Sequence, residues 1–222
     1  TTTDVCNQFI KPKTKRWKHS YCDLILKKTT TNKMEEVVVP ATVFISHAWQ
    51  CKFLDVLDVL TEHFKDEPDK IIWFDLFSFN QHLSSNLPNE WWVTTFKDAI
   101  QDIGHTVLVV PNWRDPLAYT RAWCIYEAYC SAPSRSKFEI AMGGKEQYDF
   151  IQECKNGPTK IINKMLSIVN AERSEATNYT DEERIHSVMR NEVGFAKLNS
   201  IILEQMRNWV LDLGLKELSK VE

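Results

Sequence analysis

The stretch VVVPATVFIS, Val37–Ser46, governs how the rest of the chain is read. It is β-branched and continuous, and Pro40 splits it; Ala41–Ile45 is the better strand, apolar throughout as in a parallel sheet covered on both faces. Working outward, Phe53, Val56, Leu57, Leu60 and Phe64 recur at helical spacing, so Phe53–Phe64 is expected as a helix. Ile71–Phe77 (IIWFDLF) reads as a second buried strand broken at its end by Asp75, and Ser78–Glu90 as a polar loop. Trp91–Ile103 reads as a second helix with Phe96, Ala99, Ile100 and Ile103 inward. His105–Val110 (HTVLVV) is a third strand stopped by Pro111, followed by the loop Asn112–Thr120, a third helix over Arg121–Ala132, and a fourth strand, Lys137–Met142 (KFEIAM).

This alternation leaves crossovers long enough for parallel pairing. Right-handed crossovers then give an open parallel sheet covered by helices on both faces. In such sheets ligands sit beyond the carboxyl ends of the strands, which singles out the loops Ser46–Gln50, Asp75–Asn89 and Pro111–Thr120. Beyond Gly143 the pattern turns mainly helical. Lys145–Lys155 is a helix ended by Asn156-Gly157-Pro158, Thr159–Ser167 continues apolar, and Ile168–Val169 fits a short last strand. Thr180 and Glu183 form a capping box ahead of a helix to about Arg190, and Phe195–Leu213 is a final amphipathic helix. Three regions result: a basic N-terminal segment over 1–40 with one amphipathic stretch at Trp17–Leu26, an α/β domain over 41–170, and a helical extension over 171–222 packed on it.

The 43% hydrophobic and 26% charged shares of these 222 residues are those of an ordinary globular chain with a core of useful size. A net charge of −3 argues against nucleic-acid or membrane-surface binding, and the cluster Lys11, Lys13, Lys15, Arg16 and Lys18 reads as a solvated segment. Six cysteines are scattered without C-x-x-C, and no histidine stands at zinc-ligand spacing, so no metal site is expected. Reduced thiols in a cytoplasmic protein are the expectation. No apolar run approaches the roughly 20 residues that span a bilayer, and no signal peptide is visible. The start Thr1-Thr2-Thr3 suggests a piece of a longer protein.

Six glycines form neither G-x-G-x-x-G nor a P-loop, and there is no H-E-x-x-H or G-x-S-x-G. A phospho-receiver domain needs an acidic pair after the first strand, where this chain has Ser46-His47-Ala48-Trp49. What remains is the third helix: Trp123 and Glu127 are i and i+4 on one face, with Cys130 and Tyr126 beside them, while Ala122, Ile125 and Tyr129 suffice to dock the other face on the sheet. That helix starts at the ligand end of the sheet, and an aromatic ring one turn before a carboxylate can stack on a base. Asp75 and Trp113 are further candidates for the same pocket, each with an equally good structural role, and Arg121 is another, for which structural pairing is the better reading. Asn80 and His82 fit ordering of the second loop, and the adjacent Trp91 and Trp92 fit packing or a partner surface.

Val43–Trp49 (VFISHAW), Trp73–Asp75 (WFD), the loop to Asn89 and above all Arg121–Glu127 (RAWCIYE) resemble the TIR (Toll/interleukin-1 receptor) domain family, in particular the TIR-like domains of protists, fungi and algae that read FISHAW, WxDxFxxNQH and TRAWCxxE. The resemblance is strong over roughly residues 41 to 142 and weaker over the helical tail. It implies a flavodoxin-like fold and, for the glutamate of W-C-x-x-E, cleavage of NAD+ at the nicotinamide–ribose bond. That glutamate corresponds to Glu127, and the tryptophan flanking the substrate to Trp123. The loop after the first strand, here Ser46, His47 and Trp49, would supply ribose or phosphate contacts; family enzymes often carry basic residues there, where this chain has His47 and Trp49. The loop that controls access and assembly corresponds to Ser78–Asn89 and lacks the usual glycine. The resemblance further implies a role in a cell-death or immune-type pathway, no resident cofactor because NAD+ is the substrate, and self-association through TIR surfaces.

A lone carboxylate suits this chemistry. Ordinary glycosidases need two because the departing oxygen must be protonated. Nicotinamide leaves NAD+ neutral, so one carboxylate can hold the ribose and stabilise an oxocarbenium-like transition state, with water or the adenine ring of the same molecule capturing the sugar to give ADP-ribose or a cyclic isomer. Two other readings stand beside it: a non-enzymatic TIR scaffold acting by self-association, and a nucleoside hydrolase of related fold.

Overall fold

The computed structural model describes residues 1–32, 38–83, 89–132, 136–157, 161, 163–164 and 167–218, with side chains omitted at 29–32, 89–92 and 218. Four parallel strands, β1 (Val43–His47), β2 (Ile72–Trp73), β3 (His105–Val109) and β4 (Lys137–Ala141), lie in the order β2-β1-β3-β4. This is the order of the first four strands of a flavodoxin-like sheet, and β1 is interior, bonded to β2 and β3. The expected α/β architecture is present.

Because side chains alternate across a strand, each strand feeds two cores. Val43, Ile45, Val107, Val109 and Ala141 join one cluster with Val56, Val59 and Leu60 of α4 (Phe53–His63). Phe44, Leu108 and Ile140 join the other, with α6 (Asn89–Ile103), α7 (Ala122–Ser131) and α8 (Gly144–Asn156). The C-terminal helices α9 (Tyr179–Glu192) and α10 (Phe195–Leu218) thicken that second face through Ile185, Met189, Leu198, Ile202 and Met206. Gly104 at φ +67 ends α6 and Gly194 at φ +79 ends α9, the left-handed positions glycine takes most easily.

The opposite face is covered by more than α4. A helix begins as α1 (Thr2–Val5), widens into a π turn over Cys6–Ile10, and continues as α2 (Lys11–Thr14) past Pro12. It buries Thr2, Cys6, Ile10 and Thr14. The amphipathic stretch expected at Trp17–Leu26 falls instead on α3 (Tyr21–Asn32), after a turn in which Lys18 takes φ 47.

Three boundaries differ from expectation for local reasons. β1 runs on to His47 rather than ending at Ile45, since its pairing with β3 extends to His47↔Val109. Of Ile71–Phe77 only Ile72 and Trp73 join the sheet, because the chain then coils into the single turn α5 (Asp75–Ser78), with Phe77 and Ser78 N–H donating to Phe74 O at 3.0 and 2.9 Å. The cap of α9 is Asn178, whose side chain accepts from Asp181 N–H, not Thr180. Among the described residues no fifth strand joins the sheet: Ile168 is helical, and Val169 lies buried in the helical layer. The expected loop over 84–88, most of the apolar stretch Thr159–Ser167 and the Trp91 and Trp92 side chains lie outside the described residues. All six cysteines are free thiols, and no described helix is long and apolar enough to cross a membrane.

Candidate functional site

A cleft of about 410 Å³ opens beyond the carboxyl ends of β1 and β2, a volume within the range of small-molecule sites. His47, Trp49, Asp75, Arg121, Trp123 and Glu127 all line it. Strand alternation explains the arrangement: Ser46 points to the α7 face of the sheet and His47 to the opposite face.

Glu127 is at the centre. Helix α7 is enclosed almost all round, with Ala122, Cys124, Ile125, Tyr126, Glu127, Ala128 and Cys130 buried. Glu127 is therefore no solvated residue on an outer face, and the two-faced reading of this helix is corrected: Trp123 and Tyr129 are its half-buried members. Ser46 Oγ, itself buried, donates to Glu127 Oε2 at 2.5 Å. Burial pushes the Glu127 carboxyl up to about 8; the Ser46 hydrogen bond opposes this and the nearby Asp75 charge adds to it. An acid so raised, facing a cleft, is the kind of group that functional sites hold.

Asp75 stands across from it. Trp49 Nε1 donates to Asp75 Oδ2 at 2.6 Å, and Leu76 N–H to Oδ1 at 2.7 Å. Burial raises Asp75 to about 6 against both of these hydrogen bonds, although 23% of its side chain remains open to the cleft. His47 Nδ1 lies 3.9 Å from Asp75 Oδ1 and its Nε2 meets Thr2 Oγ1 at 3.2 Å. Enclosure against the Phe74 ring and the N-terminal helix desolvates His47 and lowers it to about 3, so it is a neutral wall of the site.

Trp123 tilts against Phe96 with ring centroids 5.5 Å apart, which leaves part of its surface on the cleft. Arg121 caps the entry to α7. With the Gln50 amide turned oxygen-inward, that oxygen accepts from Arg121 Nη1 at 2.9 Å, while Glu175 Oε2 lies 3.8 Å from the guanidinium. Ala122 N–H donates to Glu175 O at 3.0 Å and Glu175 N–H to Thr120 O at 2.8 Å, so the chain before α9 is stitched to the start of α7. That stitch brings Thr177, Asn178 and Asp181 to the cleft.

Trp113 is not among the residues brought together. It is buried in the helical layer, edge-on to Phe150 at 5.4 Å and under Arg114 at 4.4 Å. Asn80 and His82 do order the second loop: Asn80 Nδ2 donates to Lys18 O at 2.5 Å, and His82 Nε2 meets Thr14 Oγ1 at 2.8 Å. The reading from sequence missed Thr3, Asn7 and Lys11, which line the cleft from the N-terminal helix; their spacing of four is regular, but nothing in it marks a site. It also singled out the loop holding Gln50 without naming the residue, and nothing local marks Thr177 or Asn178 as neighbours of α7. Among the described residues no cluster of three His, Cys, Asp or Glu side chains is placed to hold a metal ion. Comparison of the chain with family models, with curated proteins and with solved structures gives no match.

Proposed function

We propose that this chain hydrolyses the nicotinamide–ribose bond of NAD+, with Glu127 as the reacting carboxylate. The observation that carries the reading is Glu127 itself: a buried acid, bonded to Ser46, facing a ligand-sized cleft at the carboxyl end of a parallel sheet with Trp123 one helical turn away. The resemblance of Arg121–Glu127 to the W-C-x-x-E helix of TIR enzymes supports the same assignment.

The electrostatics fit a cationic substrate. With its pKa raised to about 8, Glu127 holds a proton at neutral pH before substrate binds. A nicotinamide ring carrying positive charge favours the anion, so binding releases that proton and sets an ionised carboxylate beside the ribose. As the C–N bond breaks, its electron pair leaves with nicotinamide and positive charge grows on the sugar, where the carboxylate is worth most. Water then adds to the anomeric carbon and loses a proton, giving ADP-ribose. Trp123 offers a ring face for nicotinamide, and the neutral His47 adds no competing positive charge.

One observation favours a second reading. A carboxyl that holds its proton to about pH 8 can also protonate the base of a neutral nucleoside as it leaves. The test is to incubate concentrated protein with NAD+ and, separately, with purine and pyrimidine nucleosides, and to follow nicotinamide or base release. Release from NAD+ that is lost in Glu127→Ala selects the first reading and base release selects the second. No release from any substrate leaves a binding module.

A further inference from the structure

The N-terminal helix contributes a polar stripe to the cleft. Thr2, Cys6, Ile10 and Thr14 form its buried stripe, and Thr3, Asn7 and Lys11, each one residue further on, line the cleft. A spacing of four drifts around an ordinary α-helix of 3.6 residues per turn. The π turn over Cys6–Ile10 holds more residues per turn and so keeps both stripes straighter.

This helix is a fixed wall. At its start Thr2 N–H donates to Cys51 O at 3.2 Å and Thr3 N–H to Trp49 O at 3.3 Å, and Thr2 Oγ1 meets His47. At its end Thr14 Oγ1 donates to Ile10 O at 2.7 Å and meets His82. It is thereby tied to the loops after β1 and β2, the two that frame the cleft.

The two cations on the cleft differ in their surroundings. Arg121 is engaged by Gln50, Glu175 and Thr177. Lys11 forms no ion pair among the described residues, and its field reaches Cys6 and His82 on either side. Hydroxyl, amide and ammonium thus follow one another along the wall, the Thr3 hydroxyl also donating to Trp49 O at 3.4 Å. At 1.5 Å per residue the stripe spans about 12 Å, a length that suits a diphosphate and its ester groups better than one carboxylate.

We propose that the stripe Thr3, Asn7 and Lys11 is the phosphate-binding wall of this cleft, with the Lys11 ammonium as the partner of a diphosphate. The proposal rests on reading the cleft as the ligand site, and it assigns the ligand a phosphate-bearing nucleotide rather than a free nucleoside.

The test pairs Lys11→Ala with Lys13→Ala, an exposed lysine of the same helix that does not line the cleft. Binding of ADP-ribose and of adenosine is measured by calorimetry, and KM and kcat are measured for NAD+ and for nicotinamide riboside, which has the same bond and no diphosphate. Lys11→Ala is expected to weaken ADP-ribose binding and raise the KM for NAD+ about tenfold, the worth of one charge-assisted hydrogen bond. Adenosine binding, the KM for nicotinamide riboside and kcat stay within about twofold, and Lys13→Ala matches the wild type. Equal losses with and without the diphosphate, no effect of Lys11→Ala on ADP-ribose binding, or no ADP-ribose binding by the wild type each overturn the proposal. Lys11-dependent binding of ADP-ribose without turnover supports the wall while removing the hydrolase reading.

Discussion

Glu127 and Glu139 lie on opposite faces of one sheet, and their surroundings drive them apart. Both are taken out of water. Glu139, the middle residue of β4, meets His105 Nε2 at 2.7 Å, His63 Nε2 at 3.7 Å and Lys137 Nζ at 2.8 Å; burial pushes its carboxyl up, and these partners overcome it and hold it far below the usual range. Glu127, at the carboxyl end, has one neutral hydroxyl and a second acid nearby, and burial prevails. The first arrangement is what a carboxylate needs in order to stabilise a fold. The second costs stability and leaves reactivity, which is the usual sign of a group kept for chemistry.

At Glu139 the carboxylate is expected to hold the fold together. Glu139→Gln removes a carboxylate that three side chains converge on, and is expected to lose about 2 kcal/mol in urea denaturation at pH 7. Because the folded-state pKa is depressed, the wild-type advantage is present above the ordinary value of 4.5 and disappears as the pH falls below it. A variant as stable as the wild type at pH 7 would make the cluster incidental.

Glu127→Gln is expected to act in the opposite direction. A folded-state pKa raised from 4.5 to about 8 contributes stability below pH 4.5 that is lost as the pH rises toward 8. Glutamine, which stays neutral, escapes that loss. The variant's advantage should grow from near zero at pH 4.5 to about 4 kcal/mol at pH 8. If the difference is constant across that range, Glu127 does not titrate as described.

The smallest effect is at Ser46. Its hydrogen bond opposes the rise at Glu127, so Ser46→Ala should move the alkaline rise of kcat/KM for NAD+ to higher pH and lower the rate at pH 7 a few-fold. An unshifted profile would mean that Ser46 serves packing alone.

The sheet was legible because β1, β3 and β4 are short apolar runs between helical periods, a pattern that few other folds share. β2 was over-read, since IIWFDLF is apolar enough for a strand while its end is fixed by a local turn at Phe74–Ser78. The N-terminal helix was illegible for a different reason: its inward stripe includes two threonines, and Pro12 interrupts the run. Trp123 and Glu127 could be found together because one helix carries both. Trp113 was drawn to the site by sequence proximity, and its ring turned the other way, onto Phe150. The walls given by Lys11 and Thr177 are tertiary, and nothing in their local sequence names their neighbours.

The central claim is tested most directly by nicotinamide release from NAD+ at pH 7.5, measured for the wild type and Glu127→Gln at equal concentration, with the melting temperature recorded on the same samples. The account predicts release by the wild type, a loss of about a thousandfold in the variant, and a melting temperature at least as high in the variant. A folded Glu127→Gln protein that releases nicotinamide as fast as the wild type would contradict it.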